Sequence, residues 1–357
     1  MNPKCPFLLA LIAAMLLAGA DGYAAVRYTV VDMNPNSPNI QAASINDLGQ
    51  VLYRDLGMPY IYDHGTLTPL PQDWYPVCIN NHGDIGGRFD ATNACIYQGG
   101  VLTIIGVPMP GMYTSTYAQD INDVGQVLLS VSFYSSGGSW QRNEAWLYSQ
   151  GVVTRLAPPG TYEDADTYRI NNSGVAVGQR RGTFSGAPFA KVWPESALLL
   201  PQDLWGGAFG INDANQIVGL YFPSGLGGPT HAFLCNSGVL TDLGTLGGPS
   251  SSAISINGLG QVVGNSSVSP DDPLLTHAFL YEGGPMLDLN TLIPPDFPWL
   301  LSEAIEINHA GQILVRGRRL DNWGDSHDFL LTPIPEPGVL SLVGLGALLL
   351  LGRKQSS

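Results

Sequence analysis

Between its two ends the chain alternates apolar and polar residues in short runs broken by glycine and asparagine turns. Around residue 256 the pattern is plain. Ala253 to Asn257 alternates and is rich in β-branched residues, Gly258-Leu259-Gly260 turns the chain, and Gln261-Val262-Val263-Gly264 runs back. His277-Ala278-Phe279-Leu280-Tyr281 follows after a polar loop, then a Glu282-Gly283-Gly284 turn, then Met286-Leu287-Asp288-Leu289. Period-two runs with turns at hairpin spacing predict four short antiparallel strands. An isoleucine-asparagine pair ends the first of these strands in seven copies, at Ile45, Ile79, Ile121, Ile170, Ile211, Ile256 and Ile307. The copies begin 34 to 51 residues apart. Four strands per unit of that size is the sequence signature of a propeller blade.

The turn after each pair has the form Asn, any, any, Gly, as in Asn46-Asp47-Leu48-Gly49. A type I turn favours Asn at its first position and a left-handed residue at its fourth. Six copies place glycine there, and the seventh has Asn215, the non-glycine residue that best tolerates positive φ. Gly258-Leu259-Gly260 with Gly264 lies between two strands with no helix after it, so it lacks the context of a dinucleotide loop. The last copy runs out of strands after Phe329-Leu330-Leu331, while Tyr28-Thr29-Val30-Val31-Asp32 stands unpaired at the other end. The sequence therefore predicts an all-β, seven-bladed β-propeller of four-stranded antiparallel blades, closed by the N-terminal strand, which leaves no exposed sheet edge between first and last.

Composition narrows the chemistry. Net charge is −14, and Lys191 is the only lysine between the terminal segments, so the chain is not built to neutralise nucleic-acid phosphates. Cys78, Cys95 and Cys235 are an odd set, which excludes a disulfide framework, and all three read as small buried hydrophobes. His231, His277 and His327 open the third strand of three successive copies. Third strands of neighbouring blades lie on the order of 13 Å apart, too far to share a metal ion, so these histidines read as hydrogen-bonding caps. There is no G-x-S-x-G, H-E-x-x-H or P-loop, and no cofactor or metal is expected. The acidic clusters Glu163-Asp164-Asp166, Asp271-Asp272 and Asp321-Asp325 lack a calcium-ligand spacing and read as solvated loops.

The ends point to export. Lys4, an apolar run from Phe7 to Leu17 and small residues at either Ala18-Gly19-Ala20 or Tyr23-Ala24-Ala25 make residues 1–25 a secretory signal, the substrate of signal peptidase. At the other end Pro335-Glu336-Pro337 precedes an apolar stretch, Val339 to Leu351, and then Arg353-Lys354. Over residues 335–354 this resembles the PEP-CTERM sorting signal of Gram-negative bacteria. The resemblance implies cleavage by a membrane-embedded exosortase, transient anchoring through a short transmembrane segment, and delivery to the outer cell surface or extracellular matrix. The divisions expected are signal 1–25, propeller 26–333 and sorting tail 334–357. The repeats resemble the HAF family of extracellular repeats, on His231-Ala232-Phe233-Leu234, Leu243-Gly244-Thr245-Leu246-Gly247-Gly248 and Ile256-Asn257 through Gly264. That resemblance implies an exported repeat protein and no particular activity.

Two places could carry function. First–second and third–fourth turns share one face of a propeller and are nearly all tight here. The opposite loops are long, and Trp74, Trp140, Trp205, Trp299 and Trp323 fall in them, with Tyr113 and Tyr162 nearby. Exposed aromatics on such loops suit a flat, partly apolar ligand such as a sugar ring. At the mouth of the channel, the residues before the isoleucines include Asp120, Arg169 and Glu306. The expected role is non-catalytic binding or scaffolding in extracellular polysaccharide. The alternatives are a polysaccharide hydrolase or lyase using paired loop carboxylates, and a purely structural matrix protein.

Overall fold

The computed structural model describes residues 26–33 and 41–335, apart from 56, 73, 108–112, 158–163, 182–187, 195–198, 202–203 and 320–324. Both terminal signals therefore lie outside the described residues, except Pro335. The described chain forms seven antiparallel sheets arranged as a β-propeller. Six sheets have four strands, and blade 1 is typical: Gln41–Ile45, Val51–Asp55, Met58–Asp63 and Thr66–Pro69. Blade 4 has three strands, and a Phe189–Trp205 bridge with an Ala190 N–H bond to Leu204 O stands at its outer edge. Blade 7 is completed from the other end of the chain, where Tyr28–Asp32 pairs antiparallel with Ser326–Pro333.

The core is a set of seams. Seven apolar clusters each join one blade to the next, as where Cys78, Ile96 and Ile105 of blade 2 meet Ala118, Val127 and Leu129 of blade 3. The seam between last and first blades packs Leu314 and Leu330 against Ala42, Val51 and Tyr53. Every first strand carries a β-bulge just before its isoleucine, between residues such as Ala42 and Ser44 or Ala253 and Ser255. Gly264 sits opposite one of these bulges, where an added Cβ would lie 2.0 Å from Ser252 O. The glycine that ends Gln-Val-Val-Gly serves backbone approach.

Each asparagine of the seven Ile-Asn pairs is buried, at 3–5% exposure. Its Nδ2 donates across the seam to the backbone oxygen of the next asparagine, at 2.9–3.1 Å. The series runs Asn46, Asn80, Asn122, Asn171, Asn212, Asn257, Asn308 and back to Asn46, a closed ring of seven bonds. In Asn46, Oδ1 accepts from the N–H groups of Leu48 and Gln50, which makes the turn. Its second amide hydrogen goes to Gln50 Oε1, and five other blades repeat that bond with Asp84, Gln126, Gln216, Gln261 or Gln312. Blade 4 has Val175 at this position, and Asn171 turns instead to Asn215 Oδ1 of the next blade at 2.9 Å.

The fourth turn position is left-handed in all seven blades, with φ from 59° at Asn215 to 80° at Gly83. Asn215 therefore does two things. It accepts positive φ, and its side chain supplies the acceptor that Val175 cannot.

The strand-opening histidines also form a pattern across the outer strands. His231 Nδ1 lies 2.8 Å from Asp242, His277 Nδ1 2.6 Å from Asp288, and His327 Nδ1 3.1 Å from Asp32 of the N-terminal strand. Each pair is a diagonal contact between third and fourth strands, the kind of cross-strand pair that supports a sheet. Blade 3 keeps the pair with the carboxylate on the other strand, Glu144 on the third and Arg155 on the fourth, 2.8 Å apart. Cys78, Cys95 and Cys235 are buried and form no disulfide.

The Asn215 arrangement is testable by a double-mutant cycle. Asn215→Gly relieves no strain but leaves a buried Asn171 hydrogen unpaired, so it should lower stability to urea by about 1 kcal/mol. Val175→Gln in the same chain should recover most of that loss. A neutral Asn215→Gly would mean that the residue serves only the turn angle.

Candidate functional site

The propeller has two faces and a lumen, and the bulges decide what enters the lumen. Of the residues that precede the isoleucines, Asp120, Arg169, Gly210, Ser255 and Glu306 line the channel cavity, while Ser44 and Cys78 are buried. The predicted trio Asp120, Arg169 and Glu306 lines one cavity of about 230 Å³. Arg169 Nη2 lies 3.4 Å from Glu306 Oε1. Asp120 Oδ2 accepts the Ile170 N–H at 2.8 Å, and Glu306 Oε2 accepts the Ile45 N–H at 2.8 Å. Ser255 Oγ takes the Ile307 N–H in the same way at 3.3 Å. Lumen side chains thus satisfy the inner backbone edge of the following blade.

Burial pushes the Asp120 carboxyl up to about 6, against the pull of Arg169. The pKa of Arg169 is raised, because Glu306 and Asp120 outweigh the burial that opposes its charge. Burial also pushes the Cys78 thiol well above its ordinary range. With Asp120 ionised the trio carries one net negative charge.

Above the trio, on the tight-turn face, lies a second ring that the turn motif concealed. The residues after the ring asparagines include Asp47, Asn81, Asp123, Asn172 and Asp213, alternating carboxylate and amide. Asn81 Nδ2 bridges Asp47 and Asp123 at 2.9 and 3.0 Å, and Asn172 Nδ2 bridges Asp123 and Asp213 at 3.2 and 2.8 Å. Backbone N–H groups of this rim donate to the next side chain, and His309 N–H returns to Asp47 at 2.7 Å. Gly258 interrupts the side-chain ring. The signal for this rim was present in the sequence as Asp or Asn after Ile-Asn, and it had been accounted for by turn preference alone.

On the loop face the predicted aromatics divide. Trp74 is 5% exposed and packs over Gly87 and beside Tyr97, so it closes a seam instead of facing a ligand. Trp299 stacks on His327 at 4.2 Å and packs against Phe329, which likewise makes it structural. Trp323 and Tyr162 lie outside the described residues, as do Glu336, Pro337, Arg353 and Lys354. Trp140 at 45% exposure, Trp205 at 39% and Tyr113 at 67% are open to solvent.

Tyr113 and Trp140 belong together. Tyr113 pairs with Tyr134, and Tyr134 pairs with Trp140, on three adjacent strands of blade 3. The register shifts by a bulge between Phe133 and Tyr134, and it sets the three residues side by side at the loop end of blade 3, about 10 Å from first strand to third. Tyr134 was not among the aromatics predicted for this face, although it lies at the loop end of the strand Val127–Tyr134. Trp140 Nε1 donates to Asn143 Oδ1 at 3.1 Å, and Asn143 is held in turn by Asp164 and Asp166. Arg181 lies 5.9 Å from the Trp140 ring centre and pairs with Asp166 at 3.1 Å. Tyr113 and Trp140 are therefore exposed, Tyr134 is half-buried between them, and the Trp140 indole is oriented by a half-buried polar network. Trp205 stands apart in blade 5, against Gly225.

No protein-family model matches the chain, and no curated protein matches it. Among solved structures, a chain of the "Crystal Structure of Mitotic Checkpoint Complex" is similar at 11% identity and TM-score 0.45, over 87% of this chain and 94% of that one. A "Hypothetical protein from leishmania major" is similar at 9% identity and TM-score 0.24, over 92% and 94%. Neither likeness bears on function, and the propeller assignment stands on the strand order itself.

The lumen carboxyl makes a pH prediction. A carboxyl whose native pKa is raised destabilises the fold once it ionises. The penalty is absent below pH 4, grows to about pH 6 and stays above it. A rise from 3.8 to about 6 sets a ceiling of ~3 kcal/mol, reduced because Arg169 loses one partner. Asp120→Asn keeps an acceptor for the Ile170 N–H and should gain about 1 kcal/mol at pH 8 and nothing at pH 4. Thermal unfolding at the two pH values checks this, and equal shifts at both would refute it.

Proposed function

We propose that this chain is an exported, non-catalytic binding or scaffolding propeller that engages extracellular polysaccharide through its loop face. The observation that carries the reading is the exposed pair Tyr113 and Trp140 with Tyr134 half-buried between them, the indole oriented by Asn143. Aromatic rings held rigidly at a surface offer apolar contact at small entropic cost, which suits the faces of sugar rings. The carboxylates nearest the row, Asp164 and Asp166, are engaged by Asn143 and Arg181 as structural partners. That arrangement favours binding over hydrolysis. Trp74 is buried and Trp299 is half-buried against His327 and Phe329, so among the described aromatics of this face Tyr113, Trp140 and Trp205 are left open to a ligand.

Export and sorting rest on the resemblance of the two ends to a secretory signal and a PEP-CTERM tail. Membership of the HAF family rests on the quoted repeat motifs. Among the described residues no helix is long and apolar enough to cross a membrane, and the apolar stretch from Val339 to Leu351 lies outside them. Pro335 sits beside Asp47, Leu48 and His64 on the tight-turn face. A tail held in a membrane would leave from that side and turn the loop face outward, toward the matrix.

A glycan array on the purified protein tests the reading, with Trp140→Ala and Tyr113→Ala alongside. Each substitution should weaken binding about tenfold, near 1.4 kcal/mol, without lowering the unfolding temperature. Folded protein that binds no glycan, or binding indifferent to both substitutions, would overturn it.

A further inference from the structure

The chain carries −14 net charge, yet its loop-face rim holds a line of guanidinium and phenol groups across three blades. Arg54 of blade 1 lies over the Tyr75 ring, 3.2 Å from its centre, and donates to the Tyr75 hydroxyl. Tyr75 is the cross-strand partner of Arg88 in blade 2. Arg88 in turn lies 5.3 Å from the Tyr75 ring centre and 5.6 Å from that of Tyr117 in blade 3. Two cations are thus held close together by aromatic faces. Burial, and more weakly the charge of Arg88, lower the pKa of Arg54, against the support of Tyr75.

Arg54 has further partners of its own. Arg88 does not: among the described residues its guanidinium makes no ion pair and no hydrogen bond, only the two ring contacts. Other arginines of this face are matched, Arg181 by Asp164 and Asp166, and Arg316 by Glu303 and Asp328. A guanidinium offers five donors in a planar fork that fits a carboxylate bidentately. Cation–π contact orients it without using those donors. Tyr117 lies on the same strand as Tyr113, four residues nearer the channel, or about 13 Å along the strand. Ser115 stands between them and donates to the Tyr117 hydroxyl at 2.8 Å.

We infer that Arg88, framed by Tyr75 and Tyr117, is an anion subsite that selects a carboxylate-bearing glycan running inward from the Tyr113–Trp140 row. The inference rests on the loop-face reading above and adds the class of ligand. The aromatic row supplies contact to any sugar ring. Arg88 supplies the preference for a uronate, in a protein whose overall charge would otherwise repel one.

The test compares an oligogalacturonate with its fully methyl-esterified form by titration calorimetry, on the whole protein. The pair differs in charge and little in ring shape. The acid form should bind about tenfold more tightly, and the difference should shrink as salt rises. Arg88→Gln should abolish the preference while leaving binding of the ester and the unfolding temperature unchanged. Arg88→Lys should retain part of it, because the charge stays and the fork is lost. Equal binding of acid and ester, or a preference that survives Arg88→Gln, overturns the inference and leaves the loop-face reading intact. Binding of neither form, by folded protein that binds another glycan through Trp140 on the array, also overturns the inference alone; binding of no glycan at all overturns both.

Discussion

A buried primary amide must satisfy two donors and its acceptor oxygen, and leaving any of them unpaired costs on the order of 1–3 kcal/mol. In this chain that demand is met in nearly one way: in all seven blades the oxygen makes the turn and one hydrogen crosses to the next blade, while the other reaches the residue four positions on in six blades and Asn215 of the next blade in the seventh. The crossing bond turns a local turn signal into a long-range constraint. It links Asn308 to Asn46, 262 residues away, with the same geometry that links neighbours in sequence. A helix or an open solenoid gives the last amide no acceptor, whereas a closed ring gives every amide one. The apolar seams supply most of the stabilisation, and the ring specifies which closed arrangement they adopt.

Placing these amides at the tight-turn end commits that face to structure. The second ring of alternating carboxylates and amides uses its oxygens on its neighbours, and the lumen residues cap backbone groups of the inner strands. What is left uncommitted lies on the opposite side, where loops vary in length, Tyr113 and Trp140 are exposed and Arg88 is half-buried. The strand-opening pairs follow the same economy. His–Asp in blades 5 to 7 and Glu–Arg in blade 3 fill one diagonal site with the acid on either strand, since the site asks for a hydrogen-bonding partner for a carboxylate and not for particular residues.

Much of the fold was legible because its constraints are local. The Ile-Asn copies mark a turn that needs asparagine first and positive φ fourth, and the surplus N-terminal strand matches the missing edge of blade 7. Asn215 was read correctly for its backbone angle, but its bond to Asn171 depends on Val175 in another blade and could not be seen along one stretch of chain. The lumen trio was legible from its place before the isoleucines. The aromatics were harder, because loop position does not say whether a ring faces solvent or a seam. Trp74 turns inward over Gly87, whereas Trp140 is held outward by Asn143. Arg88 gave no sequence signal at all, since its significance lies in having two tyrosines and no carboxylate beside it.

Ring closure makes the molecule one cooperative unit instead of seven stacked ones, and native-state hydrogen exchange on Asn308→Ala tests this most directly. Removing that amide cuts the ring only between blade 7 and blade 1. The account predicts that protected amides in all seven blades lose a similar opening free energy, about 2–4 kcal/mol, including those of blades 3 and 4 on the far side. Loss of protection confined to blades 7 and 1, with blades 3 and 4 exchanging as in the unaltered protein, would contradict it.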